Sequence, residues 1–382
     1  MSLDLPKQEQ KHLGELDSLR GIAAVAVMFF HFHFLWEEGA HQRWEERLFM
    51  FPPLKFLIAG HAAVILFFLL SGFVLALPQI RGKKQGYTGY ISKRICRIYL
   101  PYLVALFLAV AFCWRFHGLD AYGYWFHLTW YAAPSRSLVL QHILFLGDYD
   151  SSAYNTAFWS VVQEMRISIV FPFVCAFILR RSNATGAVLG GLLFAIAFVL
   201  AQFGWVRPTV SSCISYLGIF IFGILAARCR NEISAWLRQM SRLRLQMIFW
   251  GSVFLFFYAH RVAMILRVGE KGTDLFMATA GVGLISFCLT DRRASAALKS
   301  RVPLFLGRIS YSLYLLHGTV LFALVYMTYG KWPLWAIFVP FFVISIGLAT
   351  AMYEAVEVPS INLGHAIAAR LERRRTVVAK AV

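Results

Sequence analysis

An arginine and a histidine lie eleven positions apart in an apolar segment near the start of the chain. They are Arg20 and His31, in the sequence LDSLRGIAAVAVMFFH that begins at Leu16. Eleven residues of an α-helix make about three turns plus 20°, so the two side chains share one helix face, about 16 Å apart along the axis. A membrane helix gains no structural benefit from such groups, and each is costly to hold in hydrocarbon. The pair therefore predicts a functional site on this helix.

Three further polar residues fall at a similar depth in other apolar segments. They are His61, Glu164 and His317. With a rise of about 1.5 Å per residue and a hydrocarbon core about 30 Å thick, these groups and His31 reach the middle-to-outer part of the membrane. The pattern predicts one cavity shared by all four. The alternative is a set of separate histidines, each hydrogen-bonded in helix packing.

Glu164 lies two residues before Arg166 in one apolar segment. On a helix the two side chains project about 200° apart, so they cannot pair with each other. Each charge costs about 2.5–3.5 kcal/mol at the centre of a membrane helix and needs its own partner. A structural ion pair explains one of the two charges. Two charges back to back favour a polar cavity.

Arg94 and Arg97 are spaced i, i+3 at the start of another apolar segment. Two guanidinium groups on one helix face suit a polyphosphate, because each presents a planar fork of donors. The alternative is ordinary anchoring of a membrane helix by basic residues on the cytoplasmic side.

Composition places these residues in a polytopic membrane protein. Of 382 residues, 59% are hydrophobic and 15% are charged, whereas soluble domains carry about 25% charged residues. Apolar windows of about 20 residues predict an all-α bundle of ten spans, near 17–36, 55–77, 98–117, 157–179, 187–205, 211–228, 245–265, 273–290, 304–328 and 334–355. We expect 1–382 to form a single integral-membrane domain.

We predict a short helix and a basic tail outside the spans. The stretch Ser137–Leu146 is apolar but too short to cross a membrane, which predicts a re-entrant or interfacial helix. From about residue 358 we expect a basic cytoplasmic tail, which includes Arg373, Arg374 and Arg375.

The formal net charge of +18 follows the expected topology. If the N-terminus is cytoplasmic, most lysines and arginines lie in cytoplasmic segments, in agreement with the positive-inside rule. Both termini are then cytoplasmic. The excess of basic residues therefore reflects this orientation and does not indicate nucleic-acid binding.

Six segments, in order along nearly the whole chain, resemble motifs of the membrane acyltransferase 3 family, whose members acylate sugars and related hydroxyl compounds. The segments are Leu16–Gly21 with His31 completing an Arg-x10-His signature, Leu66–Phe73, Arg94–Arg97 as an Arg-x-x-Arg motif, Phe158–Glu164 as a Trp-Ser…Glu block, Leu306–His317, and Glu357–Pro359 as a closing Glu-x-Pro.

The resemblance implies an O-acyltransferase of the cell (inner or plasma) membrane. It would move an acyl group, expected to be acetyl, from acyl-CoA on the cytoplasmic side to a hydroxyl of an envelope or exported saccharide. The expected partners are acyl-CoA as co-substrate, a saccharide or glycolipid acceptor, and membrane lipid. No bound cofactor and no metal are expected.

The resemblance also suggests roles for the residues singled out above. His31 would be the general base, because a buried imidazole can take the proton of a hydroxyl near neutral pH; a transient acyl-histidine is the alternative. Glu164 would orient an imidazole or bind acceptor hydroxyls. Arg20, Arg94 and Arg97 would hold the donor. Further pocket candidates are Asp17, His61, Ser71, Trp159, Arg166, Tyr311 and His317.

A competing class is a multi-span transporter or flippase of a saccharide or lipid-linked substrate. In such a protein the same charges would line a substrate pathway through the membrane.

Overall fold

The computed structural model describes residues 13–39, 58–83, 85–119, 124–145 and 147–381, with the backbone alone for 36–39, 124–125 and 374–381. Within these ranges the chain is helical and contains no strand. Ten of the described helices are long and apolar enough to cross a membrane. They correspond to the ten predicted spans, so the predicted all-α membrane bundle is confirmed.

The described residues form sixteen α-helices. They are α1 (Gly14–Gly39), α2 (Gly60–Ile80), α3 (Tyr87–Arg94), α4 (Leu100–Arg115), α5 (Tyr124–His127), α6 (Arg136–Leu144), α7 (Phe158–Leu179), α8 (Asn183–Gln202), α9 (Pro208–Arg228), α10 (Arg230–Arg238), α11 (Arg242–Leu266), α12 (Gly269–Thr290), α13 (Arg292–Leu298), α14 (Arg301–Thr328), α15 (Leu334–Met352) and α16 (Val358–Ala381).

Successive spans cross the bundle in opposite directions. The helices α2, α7, α9 and α12 therefore begin at one face, called here the His61 side. The helices α1, α3 and α14 begin at the opposite face, called the Arg20 side. The two names refer to positions in the structure alone.

Glycines let the central helices approach closely. A Cβ on Gly21 of α1 would collide with the backbone at Leu306 and Gly307 of α14, and one on Gly307 would meet the backbone of Asp17. Small residues at such crossings allow membrane helices to pack backbone against backbone. The tight contact between α1 and α14 places the Arg20 and His31 face of α1 directly beside α14.

Two π-helical turns interrupt spans on the Arg20 side, at Ile95–Tyr99 between α3 and α4 and at Tyr353–Glu357 between α15 and α16. Hydrogen bonds from i to i+5 widen such turns, and π turns frequently occur at functional sites. The first turn corrects the expectation that Arg94 and Arg97 share one face of a regular α-helix. Arg94 is buried, whereas Arg97 is exposed.

The segment expected as a tail from residue 358 forms α16. This helix packs against α3, and a Cβ on Gly364 would contact Cys96 and lie close to Lys93. The side chains of Arg374 and Arg375 lie outside the described residues.

The short helix α6 covers the apolar stretch that was predicted not to span. It has 9 residues and begins at a cap in which the Ser135 hydroxyl accepts a hydrogen bond from the amide of Leu138. Its His142 side chain is fully buried, and this burial lowers the pKa of His142 to about 4. The end of the predicted stretch, Leu146, lies outside the described residues.

Candidate active site

A cavity of about 130 Å³ lies between α1, α2, α7, α14 and the first π-helical turn. Seven of the predicted site residues line this arginine cavity: Asp17, Arg20, Ser71, Arg94, Arg97, Glu164 and Tyr311. They come from five different segments of the chain. The structure therefore brings together most of the motifs that were separate in the sequence.

Glu164 is held at the cavity by groups from two neighbouring helices. Its Oε1 accepts a hydrogen bond from Arg94 Nη2 at 2.9 Å and another from Ser71 Oγ at 2.9 Å. Arg94 also donates from Nε to Ser168 Oγ at 3.2 Å. The expectation that Glu164 pairs with another helix rather than with Arg166 is confirmed. The Arg94 guanidinium, expected to face a donor phosphate, is engaged with these protein groups.

Three other arginines line the cavity. Arg20 donates from Nη2 to the Leu70 carbonyl at 3.3 Å and lies 3.5 Å from Asp17 Oδ1. Arg97 and Arg308 line the cavity and are also exposed. Because both are accessible from outside, the entrance of the cavity lies at this end, on the Arg20 side. Guanidinium groups at the entrance can donate paired hydrogen bonds to an anionic ligand with several oxygen atoms.

His31 meets His317 across the interface of α1 and α14. Nδ1 of His31 lies 2.8 Å from Nε2 of His317, and the two rings are within 10° of parallel. Nδ1 of His317 lies 3.1 Å from the Leu313 carbonyl oxygen. Since a carbonyl can only accept, this Nδ1 carries the proton, and Nε2 of neutral His317 accepts from His31. The lone pair of His31 is then on Nε2, the atom that can act as a base.

Tyr314 lies between the arginine cavity and the histidine pair. It lines the cavity, its ring centroid is 5.8 Å from that of His317, and its hydroxyl is 2.7 Å from Ser160 Oγ. His31 and His317 are buried and are not among the residues that line the cavity. This corrects the prediction of a single cavity shared by four polar groups: the histidine pair lies behind a tyrosine.

The remaining predicted pocket residues lie elsewhere. His61 pairs with Asp274 of α12 at 2.6 Å, and the Trp159 ring lies 6.0 Å from that of Tyr216. Arg166 donates to the carbonyl oxygens of Phe145 at 3.2 Å and Gly147 at 2.6 Å. Arg166 therefore ties α7 to the loop after α6 and does not reach the cavity.

Five polar lining residues were not among the predicted site residues: Ser160, Arg308, Ser310, Tyr314 and Glu357. All five fall within the segments that carried the family resemblance. Glu357 is buried in the second π-helical turn and accepts from Ser312 Oγ at 2.7 Å. Its signal in the sequence was a carboxylate at the end of an apolar span, within the closing Glu-x-Pro segment.

Comparison with known proteins gives a family match and a relative. An acyltransferase domain model, acyltransferase 3, matches residues 13–354. The chain is 24% identical over 371 residues to the O-acetyltransferase PaAT-1 of Phomopsis amygdali, a match that covers 80% of this chain and 71% of that protein. No solved structure matches significantly. The matches favour the enzyme over the transporter. The chain belongs to the acyltransferase 3 family and is a multi-pass membrane O-acyltransferase.

Proposed function

We propose that this enzyme transfers an acetyl group from acetyl-CoA to a hydroxyl of a saccharide or glycolipid, in an inner or plasma membrane. The observation that carries the proposal is an arginine-lined cavity beside a buried pair of histidines, His31 and His317, to which Tyr314 links it. In this proposal the whole chain acts as one membrane domain, and both termini are cytoplasmic. The Arg20 side is then the cytoplasmic side, where acyl-CoA is found.

The size and charge of the arginine cavity support a CoA thioester as donor. The cavity of about 130 Å³ has room for several water molecules, since on this measure a site for one water needs about 10–15 Å³. It would accommodate a short acyl group and its thioester. Arg97 and Arg308, at the entrance, would hold the phosphates that remain at the surface.

His31 would act as the general base of the transfer. Nε2 takes the proton of the acceptor hydroxyl, and the hydroxyl oxygen attacks the thioester carbonyl carbon. The carbon–sulfur bond then breaks, and the CoA thiolate leaves and takes the proton from His31. The hydrogen bond from Nδ1 of His31 to His317 stabilises the imidazolium that forms between these steps. General-base catalysis of this kind contributes about 10²–10⁴-fold.

Tyr314 would control access to this base. A short acyl group in the cavity would lie next to the Tyr314 ring, which packs against both His317 and Phe67. The hydrogen bond between Tyr314 and Ser160 holds this ring in place. We expect the reacting carbonyl to lie next to this pair of hydroxyls.

The test uses purified protein in lipid nanodiscs with [¹⁴C]acetyl-CoA and membranes of the producing cells from which this protein has been deleted. Label should enter a saccharide or glycolipid fraction with wild-type protein and stay in the donor with His31→Ala. Label that enters protein or lipid without sugar would overturn the acceptor class. Label that stays in the donor with wild-type protein would overturn acetyl-CoA as the donor.

A further inference from the structure

A second group of polar side chains lies within the spans on the His61 side, away from the arginine cavity. It consists of His61 at the start of α2, Lys271 and Asp274 in the first two turns of α12, and Ser212 and Ser215 in the first turns of α9. Three helices that begin at one face contribute these residues. We call this group the His61 cluster.

The carboxylate of the cluster is buried and fixes the orientation of the histidine. Nε2 of His61 lies 2.6 Å from Asp274 Oδ1, and 44% of the His61 side chain is exposed against 4% of the Asp274 side chain. Because a carboxylate accepts, Nε2 of His61 carries a proton. Asp274 therefore fixes the half-exposed imidazole through Nε2, and Nδ1 is the nitrogen that a ligand would contact.

The ammonium of the cluster is held by hydroxyls. Lys271 Nζ donates to Ser212 Oγ at 3.2 Å and to Ser215 Oγ at 3.3 Å, and it lies 5.8 Å from the centre of the Tyr216 ring. An ammonium has three donors, so one remains for a ligand. Lys271 lies three residues before Asp274 on α12, yet the carboxylate pairs with His61. If Lys271 served only to neutralise charge within α12, its ammonium would instead pair with the Asp274 carboxylate.

Aromatic rings separate the cluster from the arginine cavity. Tyr216 stacks on Phe68 with centroids 4.6 Å apart, and Phe68 lines the cavity. The Trp159 ring also lies beside this tyrosine, with centroids 6.0 Å apart. The stacked rings of Tyr216 and Phe68 therefore lie between the cluster and the cavity.

We infer that the His61 cluster binds the hydroxyl-rich acceptor of the transfer reaction, approaching from the His61 side. A fixed imidazole, an ammonium and serine hydroxyls offer the mixed donors and acceptors that neighbouring sugar hydroxyls require. The half-buried Trp159 ring offers an apolar face for the C–H side of a sugar ring. Donor and acceptor would thus enter from opposite faces. This inference rests on the proposed function, and it adds a separate acceptor site to it.

The experiment compares acetyl transfer with donor binding in the same full-length variants. His61→Asn, Asp274→Asn and Lys271→Met are placed in nanodiscs and supplied with [¹⁴C]acetyl-CoA and membranes that contain the native acceptor. Each variant should lower label transfer about 10–100-fold, the effect of one hydrogen bond to a charged group. Binding of CoA, measured by calorimetry, should stay within about twofold of wild type because the donor site is untouched.

Matched controls use residues of the same types that are exposed elsewhere. His260→Asn near the end of α11 and Lys331→Met after α14 should leave both transfer and CoA binding unchanged. Lys271→Met removes a charge whose burial costs free energy, so we expect this variant to keep the wild-type melting temperature.

Three results would overturn the acceptor site: unchanged transfer in all three variants, CoA binding that falls in parallel with transfer, or equal losses in the control variants. Failure of the proposed function looks different. Wild-type protein would then neither bind CoA nor transfer label, before any substitution is made.

Discussion

The arginine cavity and the His61 cluster satisfy their buried charges in different ways. In the cavity, Glu164 is bonded to Arg94 while Arg97 and Arg308 remain exposed at the entrance. In the cluster, one carboxylate holds one imidazole, and the ammonium is held by neutral hydroxyls. The first arrangement suits a polyanion, and the second suits a neutral ligand with many hydroxyls. The difference suggests that the two sides of one membrane enzyme recognise two chemically different substrates.

The largest effect should come from the proposed general base, His31. His31→Ala removes the base that both substrates would have to reach, so acetyl transfer should fall about 10²–10⁴-fold. CoA binding should persist, because His31 does not line the arginine cavity. Label transfer and calorimetry on one preparation measure both quantities. Retention of more than a tenth of wild-type turnover would exclude the general-base role and the acyl-histidine together.

Arg97→Ala tests whether the cavity entrance recognises phosphate. The KM for acetyl-CoA should rise about 10–100-fold, because a charge-assisted contact to the donor is lost. An acetyl-pantetheine donor carries the thioester without phosphate, so wild type and variant should use it almost equally poorly. A steady-state titration with both donors makes the comparison. An equal defect with the two donors would assign Arg97 to helix position instead of donor binding.

Arg94→Ala is the matched comparison within the same motif. Arg94 is bonded to Glu164 and Ser168, so its loss should lower kcat and thermal stability together, with acetyl-CoA and with acetyl-pantetheine. A change confined to the acetyl-CoA KM would show that Arg94 also binds phosphate, as the Arg-x-x-Arg spacing suggested.

Glu164→Gln should cost more activity than Arg166→Gln, although both residues carry a charge in one helix. Glu164 lines the cavity and neutralises Arg94, whereas Arg166 binds loop carbonyls at Phe145 and Gly147. Leaving Arg94 without its carboxylate should lower the free energy of unfolding by about 1–3 kcal/mol. Turnover and melting curves on both variants separate the effects. Equal losses of activity and stability in the two would indicate one structural network.

The spans were predictable because their signal is local. Apolar windows identify a membrane helix regardless of its neighbours, and all ten have counterparts in the described residues. The convergence of Arg20, Glu164 and Tyr311 was predictable from the motifs that contain them. The similar depths predicted for His31 and His317 agree with the contact between them in the structure. In each case the needed information lay within one segment of sequence.

The pairings were not predictable, because they depend on which helices are neighbours. His61 has the depth expected for the shared cavity, yet its helix face meets Asp274 of α12. The π-helical turn after Arg94 separates it from Arg97 without any change in the apolar pattern. Tyr314 was overlooked as a site residue because a tyrosine in an apolar span has no periodic signal of its own. Side-chain direction, rather than residue type, decided each of these outcomes.

The last predicted effect concerns the pH dependence of stability in the loop between α4 and α7, with no change in acetyl transfer. His142 is buried with Nδ1 3.0 Å from the Tyr102 hydroxyl and Nε2 3.2 Å from the Asp150 carbonyl. Burial lowers its pKa from the ordinary value of 6.5 to about 4. The unfolded chain therefore binds more protons than the folded one between these values, and stability falls as the pH drops through this window.

Hydrogen exchange of residues 136–154 at pH 7, 5 and 4 should detect this loss, which amounts to at most about 3 kcal/mol at the acid end. His142→Gln, which has no titrating ring, should flatten the pH dependence, whereas His117→Gln, at an exposed histidine, should leave it unchanged. CoA binding to the arginine cavity should not follow the same curve, because His142 belongs to a loop that does not line it. If CoA binding and hydrogen exchange followed the same pH dependence, this loop and the donor site would form one cooperative unit. The two regions could then no longer be treated as independent.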